Sequence, residues 1–272
     1  PAYGVKTFQQ GQHTVKVGFV GMTLKATPNL VTPEGIKGLR FEDEANTANA
    51  LVPLLKAQGV SALVLVIHEG GLIQGSHNDA TCPGLSGDIV SVLNKLDTAY
   101  DVVVSGHTHR AYACQFQHIN PAKPFLLTSA GQYGTLLTHI QLSIDPLSQK
   151  VLTKSAHNTI VQSESFTNTA GVQVQVESTL PSFIKEPAVE KIVNEYRLAS
   201  QIQVLKVVSH LPHSFTRTSS ASGESELGNL IADAQWHSTS TEARGQSDFA
   251  LMNPGGVRAD LNIPLGGGTV NF

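Results

Sequence analysis

The stretch Ser105-Gly106-His107-Thr108-His109 decides how the rest of the chain is interpreted. It follows Asp101-Val102-Val103-Val104, an apolar, β-branched run that is typical of a buried strand. Because side chains two residues apart can point to the same side of an extended or turning backbone, the two imidazoles can face one pocket. We expect Gly106 to supply the sharp turn that aims both rings there. Neutral imidazole is a common nitrogen ligand of zinc, manganese, cobalt and iron, so the stretch predicts a metal site, with an ordinary surface loop as the alternative.

A second apolar run also ends in a histidine. Residues 61–67 (SALVLVI) lead directly into His68-Glu69-Gly70-Gly71, and residues 88–96, between the two runs, have the pattern of a helix. Strand, helix and strand predict a βαβ unit with parallel strands and a right-handed crossover. The two histidine loops then leave the carboxyl ends of neighbouring strands, where open α/β sheets bind their ligands. Three imidazoles are expected to converge there, those of His68, His107 and His109.

These motifs resemble the two later metal motifs of the calcineurin-like metallophosphoesterases. The resemblance is carried by Ile67-His68-Glu69-Gly70 and Gly106-His107-Thr108-His109. Farther along, residues 224–234 (ESELGNLIADA) and 253–260 (NPGGVRAD) are similar to the C-terminal domain of the 5'-nucleotidases. Most of the chain therefore resembles the secreted or periplasmic bacterial 5'-nucleotidases.

The resemblance implies an α/β fold in two parts. Residues 1–162 would form the C-terminal part of a layered metallophosphoesterase β-sandwich flanked by helices. Residues 163–203 would form a connection with an inter-domain helix, and residues 204–272 the N-terminal part of an α/β 5'-nucleotidase substrate-binding domain. The family's carboxylate motifs and its catalytic histidine are expected upstream of this stretch, so no catalytic residue is assigned within it. We therefore expect an internal part of a longer enzyme that is inactive by itself.

The resemblance also implies an activity and a set of ligands. The activity is hydrolysis of nucleotide phosphoesters (5'-nucleotides, 2',3'-cyclic nucleotides or nucleotide sugars) by a hydroxide activated between two divalent metal ions, with zinc, manganese and cobalt as candidates. His68 and His107 would hold one metal ion and His109 the other. A nucleoside-binding loop is implied in the second domain, with the residues Asn253, Gly255, Gly256 and Arg258. Two alternatives stay open: a catalytically incomplete module that binds a metal ion or a nucleotide, and a metal-dependent hydrolase of another small substrate.

Cys82 and Cys114 are the two cysteines of the chain, and they bracket the second histidine motif. The residues alone leave three arrangements open: two free buried thiols, one disulfide, or a thiolate ligand to the metal. The resemblance to exported enzymes favours the disulfide and a periplasmic or extracellular location.

Composition excludes several partners. The 272 residues are 40% hydrophobic and 14% charged, which is typical of a globular chain with one large or two modest domains. The formal net charge of −3, with no basic stripe, argues against a nucleic-acid polymer as the partner. No apolar run approaches the roughly 20 residues that cross a bilayer. The expected partner is a nucleotide or another small phosphoester, and the oligomeric state is not predicted.

Periodicity and turn signals place the remaining elements. Helices are predicted over residues 42–58, 186–203 and 224–237, and strands over residues 15–20, 124–129, 135–144, 150–154, 204–208 and 249–252.

Overall fold

A computed structural model of the protein describes residues 2–167, 172–263 and 266–271. The chain divides into two compact units. The first unit runs as far as Gln162 and also includes Ser178–Phe183. The second unit comprises Ser163–Glu177 and the chain from Ile184 onward. No helix among the described residues has both the length and the apolar character needed to cross a membrane.

The first unit is built on a six-stranded mixed sheet with the order β1-β2-β3-β4-β6-β5. The four inner strands β2, β3, β4 and β6 are parallel, and β1 and β5 pair antiparallel at the two edges. An antiparallel hairpin, β7–β8, forms a second, smaller sheet. The strand and helix bounds are β1 Tyr3–Gln10, β2 His13–Met22, α1 Glu44–Ala57, β3 Ala62–Ile67, α2 Ile89–Lys95, β4 Val102–Val104, β5 Ala111–Gln115, β6 Leu126–Ala130, β7 Leu136–Asp145 and β8 Lys150–Ile160.

Both faces of this sheet are covered, which explains why its inner strands are almost continuously apolar. On one face, Leu63 and Leu65 of β3 belong to a buried cluster with Leu55 of α1 and Leu93 of α2. On the other face, Val64 belongs to a cluster against which the β7–β8 hairpin packs. Fully burying a side chain of this size stabilises the folded state by about 1.5–3 kcal/mol. The first unit is thus a layered α/β structure of helices, sheet and hairpin, as predicted.

The predicted βαβ unit is present between β3 and β4. Val64 pairs with Val102, and Val66 pairs with Val104, in parallel register. The segments that follow Val66 and Val104 therefore leave the sheet at the same edge. This register brings the two histidine loops together.

The second unit contains two longer helices and short paired strands. The strands β11 and β12 are antiparallel, as are β9 and β10. The bounds are β9 Phe166–Thr167, β10 Gln173–Val174, α3 Pro187–Val204, β11 Val207–Leu211, α4 Glu226–Thr239 and β12 Gly268–Asn271.

The predicted strand over residues 249–252 is wrong. These residues have no regular secondary structure, and the side chains of Phe249 and Leu251 are 73% and 82% exposed. An apolar run becomes a strand only where another backbone segment pairs with it, and no described segment pairs with this one.

Candidate functional site

His68 and His107 lie side by side where β3 and β4 end. Their ring centroids are 5.1 Å apart, and the rings meet edge to face at 64°. Both side chains are exposed to solvent. The backbone N–H of His68 donates to the Met22 carbonyl at 3.1 Å, so the histidine begins its loop while still held by strand β2. The parallel register thus brings the two imidazoles to neighbouring positions at the carboxyl end of the sheet.

The second histidine loop turns at the histidines themselves. His107 and His109 have φ values of 65° and 59°, in the left-handed region, whereas Gly106 has a φ outside it. The expectation that Gly106 supplies the turn is therefore wrong. Left-handed backbone is uncommon for residues other than glycine, and such strain concentrates at functional sites.

Glycine is required at a different position, Gly70. A Cβ placed on Gly70 would lie 2.0 Å from the Gly106 carbonyl oxygen and 2.8 Å from Thr108 Oγ1. The two histidine loops therefore touch through their backbones. Their contact is reinforced by the Gly106 N–H, which donates to the Glu69 carbonyl at 3.1 Å, and by the Thr108 hydroxyl, which donates to the Gly71 carbonyl at 2.8 Å.

A chain of buried hydrogen bonds runs beneath the two loops. The Gly71 N–H donates to the Tyr112 hydroxyl at 3.1 Å, and that hydroxyl lies 2.7 Å from Ser105 Oγ. The Ser105 hydroxyl in turn donates to the Thr128 carbonyl at 2.8 Å. Since the Ser105 proton points to Thr128, the Tyr112 hydroxyl donates to Ser105. The chain links the loop after β3, strand β5, the end of β4 and strand β6.

Burial keeps the Tyr112 hydroxyl of this hydrogen-bonded chain protonated. Tyr112 is fully buried, and desolvation raises the pKa of its hydroxyl above the ordinary value. The hydroxyl therefore remains protonated and remains a donor at neutral pH. Glu69 is also buried, and its carboxylate accepts the N–H of Gly70 at 2.8 Å. Nothing in the local sequence around Tyr112 or Ser105 shows that their hydroxyls meet.

His109 lies beside an aromatic ring rather than beside the histidine pair. Its ring centroid is 6.3 Å from that of Tyr133, at an angle of 48°. Tyr133 has a φ of 59° and is 74% exposed.

The number of metal-ligating side chains that lie together decides whether they can hold a metal ion by themselves. Within residues 2–167, 172–263 and 266–271, no three histidine, cysteine, aspartate or glutamate side chains are grouped so as to hold a metal ion. The structure brings His68 and His107 together and does not group His109 with them. Two adjacent imidazoles suit zinc, manganese or cobalt as nitrogen donors. Protein zinc sites use three or four protein ligands, so the pair fits a metal ion as part of a coordination shell.

The long loop between β3 and α2 is tied down at two points. Cys82 and Cys114 form a disulfide with their Cα atoms 5.6 Å apart, which joins the loop to strand β5. Asn78 exchanges two hydrogen bonds with the backbone of Asn158 on β8, at 2.7 and 2.9 Å. The metal-ligand alternative for the cysteines does not apply here, because both sulfurs are in the disulfide.

The predicted nucleoside loop, residues 253–258, is a compact turn. Residues Pro254–Gly256 form one turn of 3-10 helix, and the Asn253 side-chain oxygen accepts the Gly255 N–H at 3.1 Å. Val257 is buried and anchors the loop. Asn253, Gly255, Gly256 and Arg258 are exposed. The loop therefore presents the Arg258 side chain to solvent, while the side-chain oxygen and the carbonyl of Asn253 accept the N–H groups of Gly255 and Gly256.

The chain is similar in sequence to several known proteins. Residues 201–271 match the family model "5'-nucleotidase, C-terminal domain". The chain is 27% identical to Endonuclease YhcR of Bacillus subtilis over 96% of its own length and 18% of that protein. It is 29% identical to Cell wall protein Lmo0130 of Listeria monocytogenes over 93% of its length and 31% of that protein. It is 23% identical to the 5'-nucleotidase of Vibrio cholerae over 91% of its length and 45% of that protein.

Residues 201–271 are therefore similar to the C-terminal domain of the 5'-nucleotidases. The solved structure of the 5'-nucleotidase precursor from Thermus thermophilus has the same fold, with a TM-score of 0.61 at 18% identity over 98% of this chain and 47% of that one. The chain spans less than half the length of the curated relatives it matches.

Proposed function

We propose that this chain belongs to an enzyme that hydrolyses nucleotide phosphoesters, in which it supplies histidine ligands to a metal centre and a loop for the nucleoside. The contact between His68 and His107 at the carboxyl ends of β3 and β4 carries the proposal. Ligand sites of open α/β sheets lie at this edge. The similarity of residues 201–271 to the 5'-nucleotidase C-terminal domain supports the reaction class.

The metal centre is assigned to the three histidines. His68 and His107 hold one divalent ion, and His109 contributes to a second, with zinc, manganese or cobalt as candidates. A divalent ion bound there acts as a Lewis acid toward the phosphoryl group and lowers the pKa of water.

The chain's own contribution is to hold the imidazoles in place. His68 is fixed by its backbone hydrogen bond to strand β2, and His107 by the backbone contact between Gly70 and Gly106. The Tyr112–Ser105 hydrogen bonds set the spacing of the two loops from below. Preorganised ligands of this kind reduce the loss of conformational freedom when a ligand binds.

The second unit is assigned to the nucleoside part of the substrate. The loop of residues 253–258 is exposed, and its glycines at 255 and 256 let a ligand approach the backbone closely. Arg258 offers a planar guanidinium that can donate two parallel hydrogen bonds. One relative is named a 5'-nucleotidase, which supports a nucleotide substrate.

The location follows from two observations. One relative is named a cell wall protein, and the structure contains a disulfide. Disulfides persist in oxidising compartments. We assign the protein to the periplasm, the cell surface or the extracellular space.

Phosphate release from AMP tests the proposal. The assay uses the full-length natural protein that contains this chain, first after chelation and then after addition of Mn²⁺ or Zn²⁺. Release that is lost on chelation and restored by a metal ion is expected. Absence of release from AMP, cyclic nucleotides and nucleotide sugars with every metal ion contradicts the hydrolase.

A second candidate is a binding module without catalysis. The grouping of only two of the three histidines among the described residues favours it. Calorimetric binding of AMP or Zn²⁺ without phosphate release identifies this role.

A further inference from the structure

Arg217 is joined to the nucleoside loop by a set of hydrogen bonds. Its backbone N–H and its Nε both donate to Asp260 Oδ1, at 2.9 and 3.1 Å. Its Nη1 donates to the carbonyl oxygen of Arg258 at 3.1 Å. A single arginine therefore contacts the backbone of the residue proposed to bind the nucleoside and a carboxylate two residues farther along.

Further hydrogen bonds join the segment just before Arg217 to the chain after Arg258 and to helix α4. We call the contacts of Arg217 with Asp260 and Arg258 the junction. Phe215 and Leu261 exchange both backbone hydrogen bonds, at 3.0 and 2.9 Å. The Ser214 hydroxyl donates to the Ile263 carbonyl at 3.0 Å and accepts the Ile263 N–H at 2.8 Å. Thr216 accepts the N–H of Leu227, a buried residue at the start of α4, at 3.1 Å. The segment that carries Arg217 is thus attached to α4 on one side and to the chain after Arg258 on the other.

The charge of Arg217 is already matched within the protein. Asp260 has its pKa lowered, first by the backbone N–H of Arg217 and then by its guanidinium, so the carboxylate is ionised at neutral pH. Both side chains are partly exposed, at 49% and 36%. An ion pair this exposed adds little to stability. Its main effect is therefore local: it sets where the backbone of Arg258 lies.

We propose that Arg217 is a positioning residue that acts through Asp260 and the Arg258 carbonyl to hold the Arg258 guanidinium in its ligand-binding place. The proposal rests on the nucleoside-binding role of the loop. In this role Arg217 positions the loop and makes no contact with the nucleotide. A loop that spends about one tenth of its time in the competent arrangement binds about tenfold more weakly.

The test measures AMP affinity by calorimetry on the full chain and three variants. Arg217→Ala removes the junction, and Asp260→Asn weakens it while keeping Arg217. Arg244→Ala is the matched control, because Arg244 lies in the same unit and its Nη1 donates only at 3.5 Å to the Ser238 carbonyl. We expect affinity to fall about tenfold in both junction variants, with the control and the melting temperatures unchanged. A loss in Arg217→Ala without a loss in Asp260→Asn overturns the proposal, because it shows that Arg217 contacts AMP directly.

Hydrogen exchange separates the junction from the proposed function. Amides of residues 255–260 are expected to exchange faster in Arg217→Ala and Asp260→Asn than in the wild type, without any nucleotide present. Unchanged exchange overturns the positioning role even if AMP binds. Absence of AMP binding by the wild type contradicts the nucleoside loop, and the exchange result still decides whether Arg217 orders it.

Discussion

The imidazole of His68 meets the imidazole of His107 edge to face, with 5.1 Å between the ring centroids. The two residues are far apart in sequence, and each follows its own strand. Their contact depends on the parallel register in which Val66 pairs with Val104. Any change that alters the junction between these strand ends is expected to alter the pair.

Replacing His107 with alanine should weaken Zn²⁺ or Co²⁺ binding by more than about tenfold, since removing even an outer-shell partner of a metal ligand costs 10–100-fold. Calorimetric titration of the full chain measures the affinity. His237→Ala is the control, because His237 is an exposed residue of α4 in the other unit. Equal metal affinity in His107→Ala and the wild type would show that His107 is not a metal ligand.

Replacing Tyr112 with phenylalanine should destabilise the fold by about 1–3 kcal/mol, because the buried Gly71 N–H loses its acceptor and Ser105 loses a donor. It should also weaken metal binding, because the two histidine loops lose their shared support. Chemical denaturation and metal titration measure the two effects.

Tyr100→Phe is the matched control for this prediction. Tyr100 is also fully buried, and its hydroxyl donates to the Ala48 carbonyl at 2.7 Å, on the helix side of the sheet. It should lose stability with no change in metal affinity. If both variants weaken metal binding equally, the effect of Tyr112 is general destabilisation and not support of the loops.

The parallel sheet and the histidine pair were predictable because their cause is local. Each of the two apolar runs ends in a histidine loop, and a short helix lies between them. The parallel crossover then leaves one arrangement for the strand ends. The residues beneath the loops were not predictable in this way. Tyr112 and Ser105 are joined by tertiary contact across β5 and β4, which no periodicity encodes.

Two wrong predictions, the turn at Gly106 and the strand over residues 249–252, show what local sequence does not determine. The turn was assigned to Gly106, whereas the left-handed residues are His107 and His109. Glycine is required instead at Gly70, because another backbone lies against it. The apolar segment at residues 249–252 has the composition of a strand but lacks a pairing partner among the described residues. Each depends on a distant segment rather than on local composition.

Removing the disulfide should destabilise the first unit substantially. Cys82 and Cys114 are separated by 32 residues. Closing a loop of this length stabilises a fold by about 3–4 kcal/mol in the chain-entropy model. The double variant Cys82→Ala/Cys114→Ala should melt at a lower temperature than the wild type. A reductant should lower the wild-type melting temperature and leave the double variant unchanged, and a wild type unaffected by complete reduction would contradict the prediction.

The start of helix α1 should make stability depend on pH through Asp43. Its carboxylate accepts the Asn46 N–H at 3.0 Å, and this hydrogen bond is the largest cause that lowers the Asp43 pKa. Lys95, 3.3 Å away, lowers it further. Because the folded-state pKa is below the unfolded value, the stabilisation is fully present above the unfolded pKa and is lost as pH falls through the folded one.

Asp43→Ala should therefore cost about 1 kcal/mol at neutral pH, the usual effect of losing a helix N-cap. The difference from the wild type should shrink as the pH falls through the lowered pKa. Asp43→Asn is the control, since asparagine also caps helices but does not titrate. Denaturation of all three proteins across the acid range measures the effect. A gap between Asp43→Ala and the wild type that stays constant down to the lowest pH would show that the ionised carboxylate is not what stabilises the helix start.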